Sequence, residues 1–219
     1  MTIMLRNEIY DDIYFNADDG IGESEYVFLD GSGAPDIWRN ITHFHITELG
    51  FGTGLNFLLT AQAWQKTASA DAHLTYTGID LHPFTKSKLQ EVYAHWPDLS
   101  DVSEKLLAVY PGTEAGIHIC YPVTNITLML LWGEAMEMLQ SMHRKQNLFY
   151  LDGFAPKKNP EMWRDEIYSE LARLAAPNAF VTTFTAAGMV KRGLENAGFT
   201  VTKRKGFGNK RERITAKHV

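Results

Sequence analysis

Cysteine is nearly absent from these 219 residues: Cys120 stands alone, which excludes an internal disulfide and a cysteine-based zinc site within one chain. No apolar run reaches the length of a membrane span. Met1 to Tyr10 sets Arg6, Asn7 and Glu8 where a secretory leader needs an apolar stretch. A reduced, cytoplasmic setting with no membrane partner is expected. The eight histidines show no metal-ligand spacing: His43 and His45 alternate, and His82, His95, His118 and His143 are scattered, so no metal is expected. Tyr121-Pro122 reads as a loop. There are no repeats and no low-complexity linker.

What is present suits a globular α/β protein. Apolar content is 45%, and the length suits one domain with a full core. Net charge is −5 but unevenly spread: residues 1–36 hold nine acidic side chains against Arg6, and residues 186–219 hold nine basic ones against Glu195 and Glu212. The basic tail suits an anionic polymer, or is simply a solvated face. Residues 1–36 are read as an extension packed on a main domain of residues 37–219. In it D-I-Y-F and E-Y-V-F-L look like two strands of a hairpin around the acidic turn 16–23. From residue 43, candidate strands (43–49, 74–79, 127–131, 147–151, 179–185, 200–205) alternate with candidate helices (55–67, 85–96, 102–109, 135–143, 160–175, 187–197). Residues 206–219 offer one more edge strand, and Gly198 a helix C-cap. That alternation predicts a mostly parallel, seven-stranded sheet with helices on both faces.

Residues 46–54 read I-T-E-L-G-F-G-T-G: an apolar run, a glutamate, then three alternating glycines before an apolar helix. Strand, glycine turn and helix N-terminus together form a nucleotide pocket. The dinucleotide fingerprint needs glycine at 55. Leu55 stands there, and no Tyr-x-x-x-Lys pair follows, which argues against a nicotinamide reductase. The pattern E-x-G-x-G-x-G instead resembles the first motif of S-adenosylmethionine-dependent methyltransferases. That resemblance implies that Gly50, Gly52 and Gly54 lie against the methionine part of the cofactor and that Glu48 helps hold it. Asn56 would add a side-chain contact there.

In doubly wound sheets ligands sit beyond the carboxyl ends of the strands. Asp80 ends such a strand and suits the ribose hydroxyls better than the competing role of helix cap. Glu134 and Ala135 follow another: the carboxylate either receives an adenine amine or starts a helix, where it meets the dipole favourably. Asp152, in N-L-F-Y-L-D-G-F-A-P, follows a buried strand and precedes an apolar lip of Phe154, Ala155 and Pro156. It is the candidate for holding an amine and taking its proton; the plainer alternative is a cap for the helix near Pro160.

Three longer strings are more diagnostic. E-L-G-F-G-T-G-L-N-F-L, L-D-G-F-A-P-K-K-N-P-E-M-W and T-K-R-K-G-F-G-N-K-R-E resemble the methyltransferase part of the MnmC-type tRNA wobble-uridine modification enzymes, and the entry segment D-D-I-Y-F-N-A-D-D-G does too. The resemblance covers residues 10–213. It implies a Rossmann-like class I methyltransferase fold. It implies methyl transfer from S-adenosylmethionine to the exocyclic amine of 5-aminomethyl-2-thiouridine in a tRNA anticodon loop. Two departures stand out: Glu134 where the family usually has aspartate, and Pro177-Asn178-Ala179 where it favours a P-G-G-type turn. Larger members carry a flavin-dependent domain that generates the amine; this chain ends at Val219 without one, so a separate amine-generating enzyme upstream is expected, or the chain is a fragment.

On this reading Phe154 stacks on the base and Pro156 helps enclose it. Lys157, Lys158, Lys191, Arg192, Lys203, Arg204, Lys205, Lys210 and Arg211 meet tRNA phosphates, and the acidic N-terminal segment sits away from the RNA or screens its placement. Two other functions compete: an N-methyltransferase of a small amine, which needs no basic tail, and a non-catalytic RNA-binding protein.

Overall fold

The computed structural model describes residues 5–14 and 19–218. A small hairpin comes first, β1 (Arg6–Asn7) against β2 (Asp12–Ile13). The expected hairpin is therefore only half right. Its first strand-like run supplies β2, but E-Y-V-F-L is helical: α1 (Gly20–Ser24) runs through a wide helical turn, Glu25–Leu29, into α2 (Asp30–Ser32). Residues 15–18, which include part of the expected acidic turn, lie outside the described residues. The helical form wins because it buries Val27 and Phe28 in the same core as Trp38, Phe44 and Trp64, and tertiary packing of this kind overrides strand propensity.

The main body alternates as expected. The elements are β3 (His43–Leu49), α3 (Leu55–Thr67), β4 (His73–Asp80), α4 (Lys86–Tyr93), α5 (Ser100–Val109), β5 (Gly116–Val123), β6 (Ile126–Trp132), α6 (Ala135–Ser141), β7 (Gln146–Leu151), α7 (Asp165–Leu174), β8 (Ala175–Thr183), α8 (Gly188–Asn196), β9 (Phe199–Lys205) and β10 (Glu212–His218). They form one sheet of eight strands in the order β5-β6-β4-β3-β7-β8-β10-β9. The five central strands are parallel, and β5, β10 and β9 join antiparallel.

Three expectations need correction. The sheet has eight strands, not seven, because β5 runs through Tyr121-Pro122; proline is tolerated there since β5 is an edge. The last strand is not an edge: β10 inserts between β8 and β9. The helix expected at 160–175 is broken, a single 3₁₀ turn Pro160–Trp163 preceding α7. The Pro177-Asn178-Ala179 turn survives inside β8 as a bulge, with Asn178 left-handed at φ 63°. Gly198 follows α8 at φ 94°, as a helix-ending glycine does.

The sheet divides two cores. One joins the N-terminal helical segment, α3, α4 and α5 through Phe57, Trp64, Leu89 and Leu106; the other joins α6, α7 and α8 through Leu139, Ile167, Leu171 and Leu194. The chain leaves β3 toward β4 and β6, then returns to the other side of β3 as β7. Strand order therefore reverses between β3 and β7, and a crevice opens at their carboxyl ends.

Candidate active site

A cavity of about 1190 Å³ lies in that crevice. Its floor is built by strand ends. After β3 the chain turns through Gly50 at φ 83° and Gly52 at φ 52°. The amides of Gly50 and Phe51 both reach the Ile79 carbonyl, and the Asp152 amide donates to the Leu49 carbonyl at 3.0 Å. A Cβ on Gly50 would stand 2.0 Å from the Asp152 carbonyl oxygen. Glycine at 50 is thus required by the loop after β7, not only by an approaching ligand.

Asp80 is locked at the end of β4. Its Oδ2 accepts from the Gly52 amide at 2.7 Å and its Oδ1 from the His82 amide at 2.8 Å. It caps no helix, since α4 is capped by Thr85. Each oxygen keeps a lone pair for a hydroxyl donor. Burial raises its pKa, and those two amides offset part of the rise.

Asp152 stands across the crevice. Its Oδ1 accepts from the Gly153 amide at 2.9 Å and its Oδ2 from Asn56 Nδ2 at 2.8 Å. It caps nothing near Pro160, whose turn has no side-chain cap. Its carboxyl is pushed up to about 7, chiefly by burial and also by the Glu23 charge, against the two hydrogen bonds and Lys210, which pull it down.

Glu134 serves as the cap of α6, its Oε2 accepting from Met136 at 2.8 Å and Glu137 at 3.1 Å, with Arg164 3.5 Å from Oε1. It also lines the cavity beside Ala135, so the cap and the cavity wall are one residue. Glu48 differs. It is 1% exposed beneath the floor, held by Asn56 Nδ2 and the Tyr76 hydroxyl, each at 2.7 Å, and does not line the cavity.

Of the other expected site residues, Gly50, Gly52, Asn56, Phe154, Lys158 and Lys210 line the cavity, whereas Gly54, Pro156, Lys157, Lys191, Arg192, Lys203, Arg204, Lys205 and Arg211 do not. Pro156 is buried, and Gly54 sits at φ 74° under the Phe51 ring. Lys203 pairs with Glu212 at 2.6 Å and Lys191 with Glu195 at 3.5 Å. The turn joining β9 to β10 reaches the carboxyl edge and brings Lys210 to the rim, 5.4 Å over the Phe184 ring.

The half of the site that the sequence reading did not identify is the N-terminal segment. Tyr10 stacks on Phe154 at 4.7 Å, and Tyr14 meets the same ring edge-on at 5.1 Å. Asp12 accepts from the Ala155 amide at 3.2 Å and pairs with Lys158 at 3.3 Å; Glu23 pairs with Lys210. Asp12 and Glu23 of this acidic segment are part of the cavity wall. Segment-wide acidity signalled a charged partner but not which lysines it meets.

Acidic side chains outnumber basic ones along the cavity wall, so this set of acceptors fits a cationic ligand with hydroxyl and amine groups. Among the described residues no helix is long and apolar enough to cross a membrane.

Comparison with known proteins gives the family. Residues 97–219 match a family model described as S-adenosyl-L-methionine-dependent methyltransferase. The chain is 40% identical over 212 residues to the tRNA 5-methylaminomethyl-2-thiouridine biosynthesis bifunctional protein MnmC of Maricaulis maris, covering 96% of this chain and 36% of that protein. It is 40% identical over 226 residues to the Legionella pneumophila protein of the same name, covering 94% and 34%. It therefore spans about a third of the length of the curated relatives it matches. Among solved structures, MnmC2 from Aquifex aeolicus superposes with a TM-score of 0.76 at 19% identity, covering 99% of this chain and 70% of that one. Spermidine synthase from Thermotoga maritima gives 0.59 at 8%, covering 94% and 63%. Both show the fold. The chain belongs to the S-adenosyl-L-methionine-dependent methyltransferase family.

Proposed function

We propose that this methyltransferase acts on the exocyclic amine of 5-aminomethyl-2-thiouridine at the tRNA wobble position, giving the 5-methylaminomethyl form. The observation that carries the reading is Asp152: a carboxylate with both oxygens oriented, facing the cavity that Asp80 and the glycine turn also line. The relatives' name supplies the substrate class.

Bound S-adenosylmethionine supplies a methyl carbon activated by a positively charged sulfur. Asp80 would hold its ribose hydroxyls, Gly50 and Gly52 would lie against its methionine end, and Glu134 with Ala135 would meet its adenine; all of them line the cavity. An amine attacks only with a free lone pair, so the substrate ammonium must first lose a proton. Asp152 accepts that proton; a carboxyl raised to about 7 is matched to this work near neutrality. The donor would supply the methyl carbon, with its sulfur as the leaving group, while Asp152 keeps the attacking amine free of its proton. Alignment by the fixed floor supplies much of the acceleration.

The target base must leave its stack, which is easier in a single-stranded loop. Phe154 already carries Tyr10 on its ring, so the base meets an aromatic pair rather than a lone phenylalanine. Lys158, Lys210 and the basic β9–β10 hairpin are the phosphate contacts nearest the cavity, with Lys191 and Arg192 farther out. The amine itself must come from a preceding amine-generating activity.

Incubation with labelled S-adenosylmethionine and tRNA from a strain lacking the final methylation tests this directly. One methyl group on the wobble nucleoside by mass analysis is expected. Label on a free small amine with none on tRNA overturns the substrate assignment.

A further inference from the structure

Glu48 and Asp152 are joined by one amide nitrogen. Asn56 Nδ2 donates one hydrogen to Glu48 Oε1 at 2.7 Å and the other to Asp152 Oδ2 at 2.8 Å. Both donors are spent, one on each carboxyl. Asn56 is 3% exposed, on the first turn of α3, and its Oδ1 has no partner among the described residues. A buried unpaired carbonyl is unfavourable, so this orientation persists because the nitrogen end is needed where it points.

We propose that Glu48 is a positioning residue for methyl transfer: acting through Asn56 it orients the Asp152 carboxylate, and it does not hold the methyl donor. The inference rests on the reading of Asp152 as the group that takes the amine proton. Three observations carry it. The glutamate lies beneath the cavity and not on its wall. Its second oxygen is fixed at 2.7 Å by the hydroxyl of Tyr76, itself fully buried on β4. Its Oε1 remains an acceptor whether or not Oε2 carries a proton, so its hold on Asn56 does not depend on its charge. Burial raises the Glu48 carboxyl well above its ordinary range, and the Asp152 charge adds to this, which favours the neutral form.

The test compares Glu48→Gln, Glu48→Ala and Asp152→Asn, reading kcat on tRNA and donor affinity by calorimetry. Glutamine keeps an acceptor for Asn56 and a group for Tyr76, so E48Q keeps kcat within about threefold and leaves donor affinity unchanged. E48A lowers kcat about tenfold or more with donor affinity within twofold. In the Asp152→Asn background the same change adds almost nothing, because both act through one carboxylate; a purely structural role gives multiplying losses instead. Tyr76→Phe, which keeps the ring, replaces E48A in the cycle should that variant fail to fold, and is expected to lower kcat a few-fold. A tenfold loss of donor affinity in E48Q with kcat preserved overturns the inference and assigns Glu48 to the donor, as do losses that multiply in the double variant. Should D152N retain full kcat, the proton-acceptor reading falls and this inference falls with it, whereas failure of the Glu48 variants alone leaves that reading standing.

Discussion

The floor and the rim of the cavity are made by different means. On the floor, Asp80 and Asp152 hang from parallel strands with Glu48 beneath them, and every orienting bond comes from backbone amides or from groups as buried as Asn56 and Tyr76. On the rim, Asp12 meets Lys158 and Glu23 meets Lys210, with the lysine side chains 40% and 50% exposed. Reorganising the floor leaves buried polar atoms unpaired; reorganising the rim exchanges one solvated contact for another. The floor is therefore suited to fixed chemistry and the rim to exchanging partners when a polyanion arrives.

The largest effect expected from breaking this contrast is on the floor. Asp152→Asn keeps the shape but removes the proposed proton acceptor, and kcat should fall by about 10²–10⁴ while donor binding by calorimetry is retained. Gly50→Ala comes next. Its Cβ would collide with the Asp152 carbonyl at 2.0 Å, at a φ of 83°. A loss of about 3 kcal/mol or more in thermal unfolding is expected from the combined clash and strain, together with a fall in rate. An alanine variant of normal stability and rate would show the floor to be as pliable as the rim.

Opposed pH dependences of rate and stability sharpen the comparison further. In its proposed role Asp152 must be ionised to take a proton, so the single-turnover rate should rise as pH increases through about 7. Stability has the opposite sign. A carboxyl whose folded pKa lies above its unfolded value contributes fully below the ordinary carboxylate range, and that contribution is lost as pH rises through the folded pKa. The ligand-free protein should therefore weaken by up to a few kcal/mol between about pH 4 and pH 7. D152N should remove the Asp152 share of that stability loss, leaving the share of Asp80 and Glu48, whose carboxyls burial also raises, and its residual rate should lose this pH dependence.

How much of this was legible in the sequence follows the same division. Residues 43–49 and 55–67 are strand and helix as read, because a parallel strand buried on both faces and a helix with a buried first half leave long apolar signals. Asp80 and Asp152 were found by their place after such strands. β5 was not, because its alternation is inverted: Ile117, Ile119 and Tyr121 face outward at 56%, 54% and 67% exposure. E-Y-V-F-L carries strand-forming residues and becomes helix only because α3 and β8 offer a surface to bury Val27 and Phe28. The Glu48–Asn56–Asp152 bridge needs three elements at once, so no spacing within one segment encodes it. The pairing of Asp12 with Lys158 and of Glu23 with Lys210 is likewise a product of the closed fold.

The smallest effect on stability, and the most direct probe of the rim, is expected from Asp12→Asn combined with Glu23→Gln. Ion pairs whose lysines stay 40% and 50% exposed contribute about 1 kcal/mol each, and asparagine and glutamine keep acceptors at the half-buried carboxyl positions, so thermal unfolding should move little. RNA binding should respond more. Asp12 and Glu23 occupy Lys158 and Lys210 before a phosphate can, and removing them frees both cations. Affinity for tRNA should rise, and its dependence on salt should steepen as more phosphates are neutralised. The rate profile adds an independent readout. The Glu23 charge raises the Asp152 carboxyl and Lys210 lowers it, so taking away the first while leaving the second should move the acidic limb to lower pH. If unfolding instead shows a loss of several kcal/mol, with RNA affinity and the acidic limb unchanged, the rim is as structural as the floor and its acidic residues are not stand-ins for phosphate.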